Sequence, residues 1–480
     1  MDHLLIALLA VITLLLSLGA AGHALLFKRD SRAALVWTSI TLALPLIGPF
    51  LYWCIGINRI SRRARNWQES GRRVSGTSIY PLKEGEERHG TDLLLPVSAG
   101  RLRDLRVLAD RVVATPIRDG NRITMLENGD NAYPAMLATI LKAEESINLS
   151  SYIFEADGIG AEFINSLKGA AARGVEVRVI IDAVGEKYSR SSLAKALQNS
   201  KVLLARFLPL RHGAYINLRN HRKLLIIDGR EAFTGGMNIR NRHILSAAVP
   251  GQAVRDLHFS LMGPVVADLQ RSFLEDWFFV TGERLDTPLF FPELGSQGAA
   301  IVRCISDGPD KEFRKIEQII FGALACAKRS VYIMTPYFIP DRAMISAIIT
   351  TTLRGVDVRI VMPGANNLPF VKWASQALLW ELLACGVRFY YHPAPFVHTK
   401  LMLVDDVWAL IGSANLDARS LRLNFELNLS VLDPSFAEPV KEHFEQAFAT
   451  SHEITLGEIE NRSLAVKLRD NFCRLFSPYL

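Results

Sequence analysis

The chain has 480 residues, 49% of them hydrophobic, a mean hydropathy of +0.17 and a net charge of +7. That length allows two domains of ordinary size, the hydropathy is high for a wholly soluble protein, and the charge suits an acidic partner such as anionic lipid or nucleic acid. Its five cysteines, Cys54, Cys304, Cys326, Cys385 and Cys473, are scattered and never spaced C-x-x-C, which argues against a disulfide framework or a zinc site and suits a reducing compartment.

Two apolar runs open the chain, Leu4 to Phe27 and Ala33 to Ile57, and each is long enough to cross a bilayer. Lys28, Arg29, Asp30 and Arg32 separate them, so the spacing predicts a membrane hairpin over residues 1–58. Trp37, Tyr52 and Trp53 near the ends of the second run suit an interface. The start, Met-Asp-His, lacks the positive region of a cleaved signal peptide, so the first run is read as retained. Arg59, Arg62, Arg63, Arg65, Arg72 and Arg73 follow, which predicts a cytoplasmic side for everything beyond the hairpin and an attraction to anionic headgroups. Residues 59–105, including polar Ser75 to Gly100, read as a connector.

Beyond it the chain repeats itself. A strand at Ile123–Leu126, a helix at Ala135–Ala143, a strand at Ile147–Phe154, a helix at Ala161–Arg173 and a strand at Val175–Ile181 make up the first half. Helix Ile316–Ala327, strand Val331–Ile339, helix Met344–Arg354 and strand Val356–Val361 repeat that order. ARGVEVRVIID (Ala172 to Asp182) matches LRGVDVRIVMP (Leu353 to Pro363), and SSYIF (Ser150 to Phe154) is echoed by TPYFI (Thr335 to Ile339). Such units predict an α/β fold, with halves over 106–292 and 293–480 joined in the Pro- and Gly-containing stretch Thr287 to Gly298.

Each half holds one copy of a pattern, H-x-K, four residues, D, six residues, G-[GS]-x-N. The first copy is His221, Lys223, Asp228, Gly235, Gly236 and Asn238; the second is His398, Lys400, Asp405, Gly412, Ser413 and Asn415. Leu224–Ile227 and Leu401–Val404 are apolar runs ending in Asp-Gly and Asp-Asp, the signature of a strand entering a tight turn, and the chain returns over Glu231–Thr234 and Trp408–Ile411. In extended chain, residues i and i+2 share a face, so each histidine projects beside its lysine. Each pair offers a nucleophile or proton carrier next to a fixed positive charge. Asn238, Ser413 and Asn415 are hydrogen-bond donors for an oxyanion, and the glycines leave the backbone open to a ligand.

The doubled motif resembles that of the phospholipase D superfamily. The flanking NLRNHRKLLIIDG, FVHTKLMLVDD and NLDARSLRLNFELN, with the hairpin, resemble its bacterial cardiolipin synthase branch over nearly the whole chain. The resemblance implies two pseudo-twofold-related halves facing across one cleft, with His221, Lys223, Asp228, His398, Lys400 and Asp405 as the catalytic set. Within that set Asp228 and Asp405 read as turn organisers. It also implies acids behind the histidines, a role carried here to Asp256 in VRDLHF and Glu426 in LRLNFELN. The implied reaction is phosphatidyl transfer between two phosphatidylglycerols through a phosphohistidine, with release of glycerol; His221 is taken as nucleophile and His398 as acid/base, an order that the two nearly equivalent copies do not themselves fix. It needs no cofactor and no metal, since the lysines neutralise the phosphate. The implied location is the inner (plasma) membrane, multi-pass, with the site on the cytoplasmic side and no nucleic-acid partner.

The rival readings are the same chemistry with water or another alcohol as acceptor, a nuclease, and a lipid-binding protein with a dead site. The hairpin weighs against the nuclease, and two intact motifs against the dead site. An apolar rim, with Phe207, Leu208, Leu210, Tyr215, Phe389, Tyr390, Tyr391 and Phe396 as candidates, would favour lipid. The chain departs from the family pattern in IRNRHILSAAVPGQAVRDLHF. There Arg240, Arg242 and His243 replace an acidic, glycine-containing segment, and Ala253-Val254 precede Arg255-Asp256 where a tryptophan is common. The segment is expected to border the pocket.

Overall fold

The computed structural model describes residues 2–28, 31–57, 102–113, 115–189, 192–208, 218–249, 251–285, 287–308 and 314–477. Residues 59–101 of the expected connector, with the arginines following the hairpin, lie outside them. Contacts divide the chain into two units, Met1–Arg72 and Arg73–Leu480.

In the first unit, Asp2–Phe27 is one helix. Its Leu4–Phe27 stretch has a mean hydropathy of 2.7, and Leu4, Leu5, Leu9 and Leu14 are exposed along it. The second apolar run is not one helix. It breaks after Ser31–Ala43 and resumes as Ile47–Leu51 and a wide turn at Tyr52–Gly56. The cause is proline: Pro45 and Pro49 each remove a backbone donor and clash with the preceding turn. The pieces still fold back on the first helix, where Ser17 Oγ donates to Pro45 O (3.0 Å) and the Tyr52 hydroxyl meets His23 Nδ1 at 2.8 Å.

In the second unit the strands of the first half are β1 (Arg118–Glu127), β2 (Ser146–Ser151), β3 (Glu176–Asp182), β4 (Leu203–Phe207), β5 (Arg219–Asn220), β6 (Leu224–Ile227), β7 (Glu231–Gly235), β8 (Val254–Arg255) and β9 (Leu257–Met262). Those of the second are β10 (Ala300–Asp307), β11 (Ser330–Met334), β12 (Phe338–Ile339), β13 (Asp357–Pro363), β14 (Arg388–His392), β15 (Phe396–Val397), β16 (Leu401–Val404), β17 (Trp408–Gly412), β18 (Leu416–Asp417), β19 (Asn424–Leu432) and β20 (His452–Ile454). A 16-stranded sheet runs β20-β14-β13-β11-β16-β17-β19-β10-β1-β9-β7-β6-β2-β3-β4, with β5 attached to β19. Read inward from β4 and from β14, β4-β3-β2-β6-β7-β9-β1 and β14-β13-β11-β16-β17-β19-β10 are the same series, with β20 added outside β14. They meet where β1 and β10 pair antiparallel, with Asn121 opposite Ala300. That pairing makes the duplicated α/β halves of the sequence one pseudo-twofold body.

Each half has its own apolar core, around Phe163, Val179 and Phe233 in one and Ile333, Ile360 and Phe389 in the other. The helix Leu102–Val112 straddles the expected boundary between connector and first half at 105/106, yet Leu102, Leu105 and Ala109 pack into the second core beside Ile316 and Ile319. The strands expected at Ile147–Phe154 and Val331–Ile339 stop early. Ser151 Oγ donates to Ile153 O (2.8 Å) and Thr335 Oγ1 to Tyr337 O (3.0 Å), and these local bonds turn the chain out of the ladder at matching places.

The motif aspartates anchor the hairpins. Asp228 (φ 52°) accepts the backbone N–H groups of Glu144, Glu145 and Ser146 at 2.8–3.0 Å, and Asp405 (φ 53°) those of Lys328, Arg329 and Ser330 at 2.7–3.2 Å. Both carboxylates are thereby committed to backbone, so the expectation of turn organisers describes their contacts and a substrate-binding role does not. Asp405→Ala leaves three donors without their acceptor and should cost about 2–3 kcal/mol. Melting of the purified protein should fall by several degrees while activity well below the melting point stays within a few-fold. A loss as large as that of a histidine variant would return Asp405 to the chemistry.

Candidate active site

The halves exchange their motif segments. β5 runs parallel to Asn424–Phe425 at the start of β19, and the next residue, His221, donates its N–H to Phe425 O (2.9 Å). Symmetrically, β15 runs parallel to β8, and His398 N–H donates to Arg255 O (2.8 Å). Each H-x-K segment is therefore laid along the strand of the opposite half that carries an acid, one residue beyond the pairing.

Those acids meet the histidines. Glu426, fully buried, takes the Nδ1–H of His221 at 3.0 and 3.1 Å, and Ser413 O lies 3.1 Å from the same nitrogen. Asp256, also fully buried, takes the Nδ1–H of His398 at 2.8 Å. A carboxylate only accepts, so in both rings Nδ1 carries the proton and Nε2 keeps its lone pair. Burial lowers the imidazole pKa to about 4 at His221, against the opposing pull of Glu426. At His398 burial and then the Lys400 charge lower it to about 3. Burial opposes ionisation of the acids as well. Lys400 and the His398 hydrogen bond outweigh it at Asp256, and His221 and Lys223 outweigh it at Glu426, so both sit below the ordinary carboxylate range. Unliganded, the site holds two neutral imidazoles on two carboxylates.

The lysines stand beside the rings. Lys223 Nζ donates to His221 O (2.6 Å), Lys400 Nζ to His398 O, and Lys400 Nζ lies 3.0 Å from His398 Nε2. Burial pulls the Lys400 ammonium down to about 8 and holds that of Lys223 well below its ordinary value. The two halves share one field: Lys400 acts on His221 and Lys223 on His398. Four cationic or proton-carrying groups thus converge where an anion would neutralise the lysines.

The supporting residues divide. Ser413 Oγ donates to Glu426 at 2.5 Å and so fixes the acid instead of facing an oxyanion. Asn238 Oδ1 accepts from Ile153 N (3.1 Å), which leaves its amide N–H groups to donate, while Asn415 Oδ1 is buried without a hydrogen-bond partner among the described residues. At the position matching Ser413, Gly236 leaves room for Asp256: a Cβ there would sit 2.4 Å from Asp256 Oδ1. Gly236→Ala should displace that carboxylate and lower turnover about 10²-fold or more. Steady-state assays beside the wild type check it; full activity would show that Asp256 has slack.

Sequence reasoning passed over two tyrosines. Tyr152 lies 5.3 Å from the His221 ring and Tyr337 6.5 Å from that of His398, with Lys223 5.6 Å over the Tyr152 ring. Their equal places in SSYIF and TPYFI were the available signal. Of the apolar rim, Phe207, Leu208, Phe389 and Tyr390 are buried core, Phe396 is half-buried 6.1 Å from His398, and Leu210 and Tyr215 lie outside the described residues. The basic segment splits: Arg240 is paired with Glu155 (2.7 Å), Arg242 is exposed, and His243 is buried with its ring 6.5 Å from that of His398.

A family model described as "Cardiolipin synthase, PLD-like domain" matches residues 136–277 and 320–448. The chain is 32% identical to a cardiolipin synthase of Geobacillus kaustophilus, over 98% of this chain and 94% of that one. It is 30% identical to the major cardiolipin synthase ClsA of Bacillus subtilis, over 94% and 95%. A phosphatidylserine synthase structure from Haemophilus influenzae shares the fold at TM-score 0.62 and 16% identity, over 78% of this chain and all of that one.

Proposed function

The chain belongs to the phospholipase D-like cardiolipin synthase family, and from that premise we propose that it joins two phosphatidylglycerol molecules into cardiolipin and releases glycerol. The observation that carries the chemistry is the pair of crossed dyads, His221 on Glu426 and His398 on Asp256.

His221 Nε2, neutral and unprotonated, attacks phosphorus of the first phosphatidylglycerol. The P–N bond forms as the bond to the glycerol oxygen breaks, and that oxygen takes a proton from His398, which gains it from solvent once the bound phosphate anion offsets the Lys400 and Lys223 charges that disfavour its imidazolium. The burial that lowers the His398 pKa makes its imidazolium a strong acid. Neutral His398 then takes the proton of a hydroxyl on the second phosphatidylglycerol. That oxygen attacks phosphorus, the P–N bond breaks and cardiolipin leaves. Lys223 and Lys400 hold the phosphoryl oxygens through both displacements, with the Asn238 amide as a further donor. Glu426 and Asp256 fix the rings and stabilise each imidazolium as it forms.

The proposed setting is the cytoplasmic side of the inner membrane. The helix Leu4–Phe27 is the anchor, with the broken run to Ile57 returning as a second pass. The duplicated halves are taken as 106–292 and 293–480. With phosphatidylglycerol as the sole lipid in mixed micelles, the expected products are cardiolipin and glycerol in equal amounts. Phosphatidic acid in their place would make water the acceptor.

A further inference from the structure

The two H-x-K segments differ at the middle residue, Arg222 in one and Thr399 in the other. Behind His221 the Arg222 guanidinium fills the structure. It donates to Asp276 (2.7 Å), Ser306 Oγ (2.7 Å), Asp307 O and Glu426 O (both 3.2 Å), and lies 5.7 Å over the Phe425 ring. Phe425 closes the rest against Phe207 and Phe279, with centroids at 4.9 and 5.9 Å.

The sheet registers identify the same places behind His398. Leu257 faces Glu127 as Leu427 faces Ser306, and Pro363 faces His392 as Asp182 faces Phe207. Arg255 precedes Asp256 as Phe425 precedes Glu426. So Thr399, Arg255 and His392 stand where Arg222, Phe425 and Phe207 stand, and Thr399 brings no guanidinium to its place. A cavity of about 300 Å³ remains, lined by Glu127, Asn128, Arg255, His392, His443 and Gln446, with Asp256 on its wall. One water needs only about 15 Å³.

The lining is polar and underused. Arg255 Nε, in the lining, is buried without a hydrogen-bond partner among the described residues, as is Thr399 Oγ1 at the position matching Arg222. The Arg255 Nη1 hydrogen bond is to His392 Nε2, at 3.5 Å, while the carboxylate of Glu127 pairs with His443, also at 3.5 Å, and feels the Arg255 charge without a hydrogen bond to it. Asn128 Oδ1 is taken by Asp256 N (3.1 Å), so its amide N–H groups are what it has left to offer. A guanidinium with a free Nε and a neighbouring amide call for acceptor oxygens.

We propose that this cavity binds a small phosphate oxyanion, free or as a lipid headgroup, at a site separate from the reacting histidines. Arg255 is its principal contact. The same residue holds His398 N–H through its carbonyl and precedes Asp256, so an occupant braces the strand pair β8–β15 that positions the His398 dyad.

The test is a melting curve of the full-length enzyme in a phosphate-free detergent, titrated with inorganic phosphate, glycerol 3-phosphate or phosphatidylglycerol. Saturation should raise the melting temperature by about 3 °C or more. The rise should persist in His221→Ala. It should vanish in Thr399→Arg, which supplies the missing guanidinium, and in Gln446→Leu. The second variant decides the matter alone if the first does not fold. A response to the soluble anions assigns a free ion, and a response to phosphatidylglycerol only assigns a headgroup; either supports the site. A rise unchanged in Gln446→Leu, a rise lost in His221→Ala, or no rise with any of the three overturns it.

Discussion

His221→Ala should abolish phosphatidyl transfer, with a loss of about 10⁴-fold or more, because in the proposed reaction its Nε2 is the atom that bonds to phosphorus. His398→Ala loses as much in steady state but fails at a different point. With its nucleophile intact, it still attacks a donor whose leaving group needs no protonation. A phosphatidyl ester of p-nitrophenol should therefore give a burst of nitrophenolate, about one per active site, in His398→Ala and none in His221→Ala. The reverse pattern would exchange the two roles and leave the rest of the account standing. Equal bursts would show that neither histidine is the sole nucleophile.

The second large effect falls on the crossed acids. Glu426→Gln and Asp256→Asn keep the shape but lose the charge that fixes the Nδ1–H tautomer, and each should lower kcat by about 10²–10⁴-fold. Stability measurements must accompany them, since each acid is buried on the strand that receives the other half's motif. The pH dependence separates tautomer control from mere packing. Burial holds His221 at about 4 although Glu426 pulls upward. The acid limb of kcat/KM for wild type should therefore lie below the ordinary imidazole range near pH 6.5. Removing the Glu426 charge removes the upward pull, so in Glu426→Gln the limb moves to still lower pH while the plateau falls. A limb that moves upward would contradict the assignment of Glu426 to His221.

Much of this was legible before any coordinates. The doubled H-x-K-x4-D-x6-G-[GS]-x-N gave both hairpins, because an apolar four-residue run closed by aspartate has few other folds. Leu224–Ile227 and Leu401–Val404 are strands with those same limits. The repeat of ARGVEVRVIID in LRGVDVRIVMP gave the pseudo-twofold halves. The crossing was not legible: nothing local in LRLNFELN says that Glu426 belongs to the histidine of the other half, since that contact spans 205 residues and depends on how β1 meets β10. Nor was the difference behind the two sites, which rests on a single variable residue, Arg222 or Thr399. The second apolar run misled because composition alone ignored Pro45 and Pro49, whose missing donors split a helix that hydropathy would run through. Ser413 was read as an oxyanion donor from its type, and only its 2.5 Å bond to Glu426 shows it committed elsewhere.

The central claim is that phosphorus passes through His221 while the other half supplies the proton. The direct measurement is mass spectrometry of peptides from enzyme quenched during turnover of phosphatidylglycerol, worked up at alkaline pH to preserve a phosphorus–nitrogen bond. The phosphatidyl mass should reside on the peptide carrying His221 and be discharged, as cardiolipin, by a chase of unlabelled phosphatidylglycerol. The same mass on the peptide carrying His398, or discharge without cardiolipin, would contradict the account.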